Sequence, residues 1–159
     1  MMDLTMDSDM QGTDLVQFVT VSVSGQLFGL PILQVRDVFM VSGVTPVPLA
    51  PASVAGLFNL RGRVMTMLSM RAMLGFDHVD AHGSETTAIG LEWQGESFGL
   101  LVDRVGEVMA LSSTSREINP RNLAREWVAL SAGVHRLDGQ LLIELNLDAL
   151  FNLSYQKAA

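Results

Sequence analysis

The chain has 159 residues, 48% of them hydrophobic and 17% charged, with a formal net charge of −7. That is enough apolar material for one good-sized domain or two small packed ones, and too much for a disordered tail. The acidity argues against nucleic acid and anionic lipid surfaces as partners, and no apolar run approaches the roughly 18 residues of a membrane span.

Residues 1–14 are polar and acidic and lack periodicity, so a flexible leader is expected there. They lack a basic segment followed by an apolar one and do not read as a secretory signal. Cysteine is absent, which removes disulfides and thiolate metal sites. These features together lead us to expect a cytoplasmic protein.

From Leu15 the sequence alternates. Val16, Phe18 and Thr20 fall on one face of a strand, and Val19, Val21 and Val23 on the other. Ser24-Gly25 supplies a hairpin turn, and Gln26-Leu27-Phe28-Gly29-Leu30 returns. Further on, Thr45-Pro46-Val47-Pro48-Leu49-Ala50-Pro51 forbids both a helix and a central strand, and predicts a rigid extended surface segment. Leu57-Phe58-Asn59-Leu60 then meets a turn at Arg61-Gly62 and returns through Arg63-Val64-Met65-Thr66-Met67-Leu68. Arg-Gly is a weaker hairpin signal than the Asp138-Gly139 turn near the C-terminus. Short helical pieces are expected at residues 68–74, 122–127 and 147–153.

The same order occurs twice. Residues 25–38 align with residues 95–108 without a gap, and six of fourteen positions are identical. Asp37 falls opposite Glu107. A second alignment, offset by 77, places Gly56 on Gly133, Leu60 on Leu137, Gly62 on Gly139 and Leu68 on Leu145. An internal repeat of about five short strands per copy reads as an all-β fold of two small barrels or a sandwich. The boundary between approximate halves, residues 15–80 and 84–153, is placed in the polar stretch 77–84, and residues 154–159 form a tail.

No nucleophile elbow, phosphate loop or dinucleotide fingerprint is present, and no carboxylate pair sits in a recognisable motif. Asp77, His78, Asp80 and His82 share a stretch with ligand types, but it does not look helical and reads as a solvated loop. No metal or cofactor is expected. Met65, Met67, Met70 and Met73 read as core filling rather than an adhesive surface. His135 reads as structural. Trp93 and Trp127 suit either a partner anchor or a cluster covering a barrel end. Asn59-Leu60-Arg61-Gly62-Arg63 displays arginines at a hairpin tip, where a guanidinium fork can take a partner's carboxylate. A merely solvated turn is the alternative.

Several motifs stand in a familiar order and spacing: Phe28-Gly-Leu-Pro-Ile32, Val35-x-Asp37-Val38, Thr45-Pro-Val-Pro48 with Pro51, Val54-x-Gly56-Leu-x-Asn59-Leu60-Arg61-Gly62, Leu74-Gly75 and Gly99-Leu-Leu-Val102-x-x-Val105. From about Leu15 to Leu153 the chain resembles the CheW-like domain of bacterial chemotaxis proteins. The resemblance implies two packed five-stranded β-barrels of SH3-like type with short helices. It also implies a non-enzymatic adaptor coupling the cytoplasmic tip of chemoreceptors to the regulatory domain of a CheA-type histidine kinase, and recruited to membrane-associated receptor arrays. By that resemblance the receptor lies in a groove between the barrels near Arg61, with Gly62, Asp37, Val35 and Asn59 as further receptor-side positions. An ion pair between Arg61 and Asp37, buried at the groove edge, is expected. Val44, Gly56 and Trp93 are carried over as kinase-side positions.

The chain departs from the family where members usually have Pro-Val-Ile-Asp-Leu after the Arg-Gly turn. Here Thr66-Met67-Leu68-Ser69-Met70 stand instead. The competing expectations are a small-ligand or sensory β-barrel, and a CheW-like paralogue serving a non-chemotactic pathway. Small barrels have interiors filled by side chains, which disfavours the first.

Overall fold

The computed structural model describes residues 15–76 and 86–156. The leader at 1–14 and the Asp77, His78, Asp80 and His82 stretch lie outside the described residues.

Turn chemistry sets the local structure. Ser24 and Gly25 both take positive φ (52° and 85°), as do Gln94 and Gly95 (51° and 80°). Two consecutive positive φ values suit the right-handed twist of the flanking strands. They close two equivalent hairpins: β1 (Leu15–Val23) with β2 (Gln26–Pro31), and β6 (Thr86–Trp93) with β7 (Glu96–Val102). A second pair of hairpins joins β4 (Val54–Leu60) to β5 (Arg63–Ser69) and β10 (Ser131–Leu137) to β11 (Gln140–Leu145). Strands β3 (Val35–Val41), β8 (Arg104–Ser112) and the two-residue β9 (Arg116–Glu117) complete the set.

Each sheet draws strands from both copies of the repeat. One has five strands in the order β3-β6-β7-β5-β4, and the other has six in the order β8-β1-β2-β11-β10-β9. The two orders match element for element under the repeat, with β9 as an added edge. The register matches too. In the parallel pairing β2–β11, Phe28 faces Ile143. In β5–β7, Phe98 faces Thr66. These are the same positions under the offsets of 70 and 77. The early strands of one copy are thus completed by the late strands of the other, in the all-β class of paired SH3-like barrels.

This exchange ties the units together. The larger core cluster combines Val19, Val21, Phe28 and Leu30 of the six-stranded sheet with Ile89, Leu91, Phe98 and Leu100 of the five-stranded one. A smaller cluster of Phe39, Val41, Met65, Met67 and Ala88 fills the five-stranded sheet. Met65, Met67, Met70 and Met73 are all buried, so they fill core. Asp103, the one residue between β7 and β8, accepts two hydrogen bonds from Arg71 (2.8 Å each) and one from the Ser24 N–H (2.7 Å). Burial pushes this carboxyl up, but those hydrogen bonds and the Arg71 charge outweigh it and hold it below its ordinary value.

The α-helices among the described residues are short: α1 (Met70–Met73), α2 (Arg125–Leu130) and α3 (Leu147–Gln156). Ser69 caps α1 by accepting from the Ala72 N–H (3.2 Å). Ser69 stands where the family pattern has Asp, and both residue types serve as N-caps, so the departure leaves the helix start intact. Helix α2 begins three residues later than the expected 122, which brings Leu130 into the core and turns Trp127 onto Phe28 and Phe76.

Candidate functional site

The hairpin tip at Arg61-Gly62 adopts the same two positive φ values (53° and 87°) as the Ser-Gly and Gln-Gly turns. Asp138 does not, although Gly139 does (79°). Both hairpins close with two-residue loops, but the weaker sequence signal forms the turn with two positive φ values, and a β-turn of another kind closes β10–β11. A non-glycine residue with positive φ carries strain, and such residues cluster at functional sites. Asn59 holds this turn by accepting the Gly62 N–H on Oδ1 (2.8 Å).

The turn aims Arg61 across the end of the five-stranded sheet. Its Nη1 lies 3.7 Å from Asp37 Oδ2 on β3. Asp37 is positioned by its register opposite Gly90, where any Cβ would collide with the Asp37 carboxylate. The expected ion pair forms, but it is open. The side chains are 76% and 38% exposed. A pair this long and exposed contributes little stability, so the arginine is free to exchange its carboxylate.

Arg61 and Asp37 line a cleft of about 470 Å³ with Arg36, Arg63, Glu92 and Ser97. Arg36 pairs with Glu92 across β3 and β6, and Arg63 donates from Nη1 to Ser97 Oγ (3.2 Å). Leu60, Met65, Gly90 and Leu91 form the remaining walls. Three guanidiniums against two carboxylates leave a local positive excess on an acidic chain. Every lining residue belongs to the five-stranded sheet or its turn. The Arg61 cleft is therefore the mouth of one sheet, and not a groove between the two units, because the exchange of strands places β3, β5, β6 and β7 together. Arg36 and Glu92 escaped the sequence reading. They are 56 residues apart, and only the β3–β6 register joins them.

The other positions go elsewhere. Val35 and Val44 are half-buried against the larger and smaller core clusters. Gly56 has φ of 151°, and a Cβ there would meet the Thr45 carbonyl. It lets the proline-rich segment lie against β4, where Thr45 and Leu57 exchange hydrogen bonds (2.9 and 2.8 Å). Trp93 stacks on Phe151 (4.9 Å between centroids) and donates to Asp148 Oδ1 (3.2 Å), so it clamps α3 onto the five-stranded sheet. Val38 on β3 and its repeat mate Val108 on β8 are among the exposed apolar positions, both about half exposed.

A second charged cluster is built differently. Buried Glu144 on β11 takes two hydrogen bonds from Arg116 (3.2 and 3.1 Å) and faces His135 Nε2 at 3.0 Å. His135 Nδ1 faces Ser115 Oγ at 2.8 Å. This cluster fastens β9 to β10 and β11.

Comparison with known proteins places this architecture. The chemotaxis protein CheW of Rhizobium meliloti is 29% identical over 150 residues, covering 93% of each chain. That of Treponema pallidum is 27% identical over 139 residues, covering 86% of this chain and 82% of the relative. The crystal structure of the scaffolding protein TtCheW from Thermoanaerobacter tengcongensis superposes with a TM-score of 0.71 at 26% identity, covering 82% of this chain and 88% of that one. The CheW-like domain family model matches residues 17–154. With that span and the shared paired-barrel fold, the chain belongs to the CheW-like family.

Proposed function

We propose that the chain is a coupling scaffold that bridges the cytoplasmic tip of chemoreceptors to the regulatory domain of a CheA-type histidine kinase, with no turnover of its own. Its family membership and its relatives' names as chemotaxis proteins support the adaptor role. The observation that carries the receptor side is Arg61, strained, loosely paired and exposed at a cleft with excess positive charge. A carboxylate on a receptor helix would take the place of Asp37 in a charge-assisted, two-pronged hydrogen bond. Gly62 and Asn59 serve by shaping the turn, and Val35 by seating the start of β3.

The kinase side rests on Val44, Gly56 and Trp93. The side chains of Val44 and Trp93 are engaged within the fold, and Gly56 admits the close approach of Thr45, so the three act by holding the surface that the kinase touches. The scaffold would work in the cytoplasm at receptor arrays. Among the described residues no helix is long and apolar enough to cross a membrane.

Reconstitution tests this reading. With receptor-tip fragments and a CheA-type kinase, the chain should co-sediment in a ternary complex, and kinase autophosphorylation should rise only when all three are present. A chain that binds neither partner, alone or together, overturns it.

A further inference from the structure

A cavity of about 210 Å³ opens among the helices, away from the arginine cleft. Buried Met73 and Leu130 and half-buried Leu153 form its apolar walls. Ser53, just before β4, also lines it. Ser53 is 2% exposed, and its Oγ has no hydrogen-bond partner among the described residues. Its backbone is fixed, because the Ser53 carbonyl accepts the Ser69 N–H (2.8 Å). A buried hydroxyl without a partner is costly and uncommon.

The repeat shows why the space exists. The offset of 77 that aligns Gly56 with Gly133 places Ser53 opposite Leu130. Leu130 is 1% exposed and fills its place in the core. At the equivalent position the chain carries a polar side chain two heavy atoms smaller in place of a branched apolar one, and the cavity lies beside it.

The contents can be argued from size and polarity. An apolar cavity of about 150 Å³ accepts benzene. This one has room for a ring and one substituent. A water molecule needs two to four polar partners, and the buried surface offers one hydroxyl. At the exposed rim stand Arg125 and Glu126, whose opposite charges favour neither an anion nor a cation. We propose that this cavity binds a neutral single-ring aromatic molecule of the phenol class, with its ring against Met73, Leu130 and Leu153 and its hydroxyl paired with Ser53 Oγ.

The test is a titration of the full chain with phenol and with toluene, which has the same ring without the hydroxyl, followed by NMR of the Met73, Leu130 and Leu153 methyl groups. Phenol should shift these methyls saturably and bind roughly 3- to 10-fold tighter than toluene, the value of one net hydrogen bond. In Ser53→Ala the phenol advantage should vanish while toluene binding stays. Ser53→Leu should abolish both. Ala129→Leu, at the exposed rim, provides a second occlusion that leaves the core untouched and should also weaken both. The proposal is overturned if phenol leaves these methyls unmoved up to its solubility limit. It is equally overturned if phenol and toluene bind alike in the wild-type chain.

Discussion

Two arginines on the two sheets meet carboxylates in opposite ways. Arg116 grips buried Glu144 with two hydrogen bonds, and Glu144 also faces buried His135. Arg61 stands 3.7 Å from Asp37 with most of its side chain in solvent. The first arrangement buries the Glu144 carboxylate and saturates it with partners, while Arg116 keeps an exposed edge, so it serves the fold. The second leaves a guanidinium poised for another carboxylate, as the proposed receptor site requires. The repeat sharpens the contrast. The position of Arg61 is occupied by Asp138 in the other copy, and that of Asp37 by Glu107. One copy therefore pairs opposite charges at this corner, while the other carries two acids and cannot reproduce the cleft.

The comparison can be broken by substitution, and the effects should fall in order. Glu144→Ala leaves buried His135 Nε2 without its partner and releases Arg116 to solvent, and should cost about 3 kcal/mol, read by calorimetry or urea unfolding. Gly56→Ala forces a Cβ into the Thr45 carbonyl at a positive φ. It should cost about 2 kcal/mol and free the proline-rich segment to proteolysis. Asp103→Ala removes the tie to Arg71 and Ser24 and should cost about 1–3 kcal/mol at neutral pH. Because folding lowers the Asp103 pKa from 3.8, its contribution is whole above the unfolded value and drains as pH falls through the folded one. The unfolding energies of wild type and Asp103→Ala should therefore converge in acid below about pH 4. Arg61→Ala should change stability least, by under about 0.5 kcal/mol.

What the sequence revealed follows from range. The hairpins at Ser24-Gly25 and Gln94-Gly95 are encoded within a few residues, and the repeat made their equivalence plain. Gly56 and Arg61 were visible for the same reason. The strand exchange was not visible, because β2 pairs with β11 and β5 with β7 across more than thirty residues, and either assembly buries the same apolar faces. The cleft inherits that blindness. Arg36, Glu92 and Ser97 come to it only through the exchanged sheet. The Asp103–Arg71 tie and the Ser53 cavity escaped for the same reason, since their parts meet only when the units pack. The Ser-for-Asp change at Ser69 was visible, and helix capping explains why it is harmless.

The most direct test pairs the two arginine sites in one experiment. Arg61→Ala and Glu144→Ala are compared with wild type for melting temperature and for co-sedimentation with receptor-tip fragments at a temperature where all three are folded. Arg61→Ala should melt with wild type and lose receptor binding by tenfold or more, the cost of about 1.4 kcal/mol or greater expected for truncating an interfacial arginine. Glu144→Ala should melt far lower and still bind. If Arg61→Ala binds the receptor as wild type does, the cleft is not the receptor site and the central claim fails.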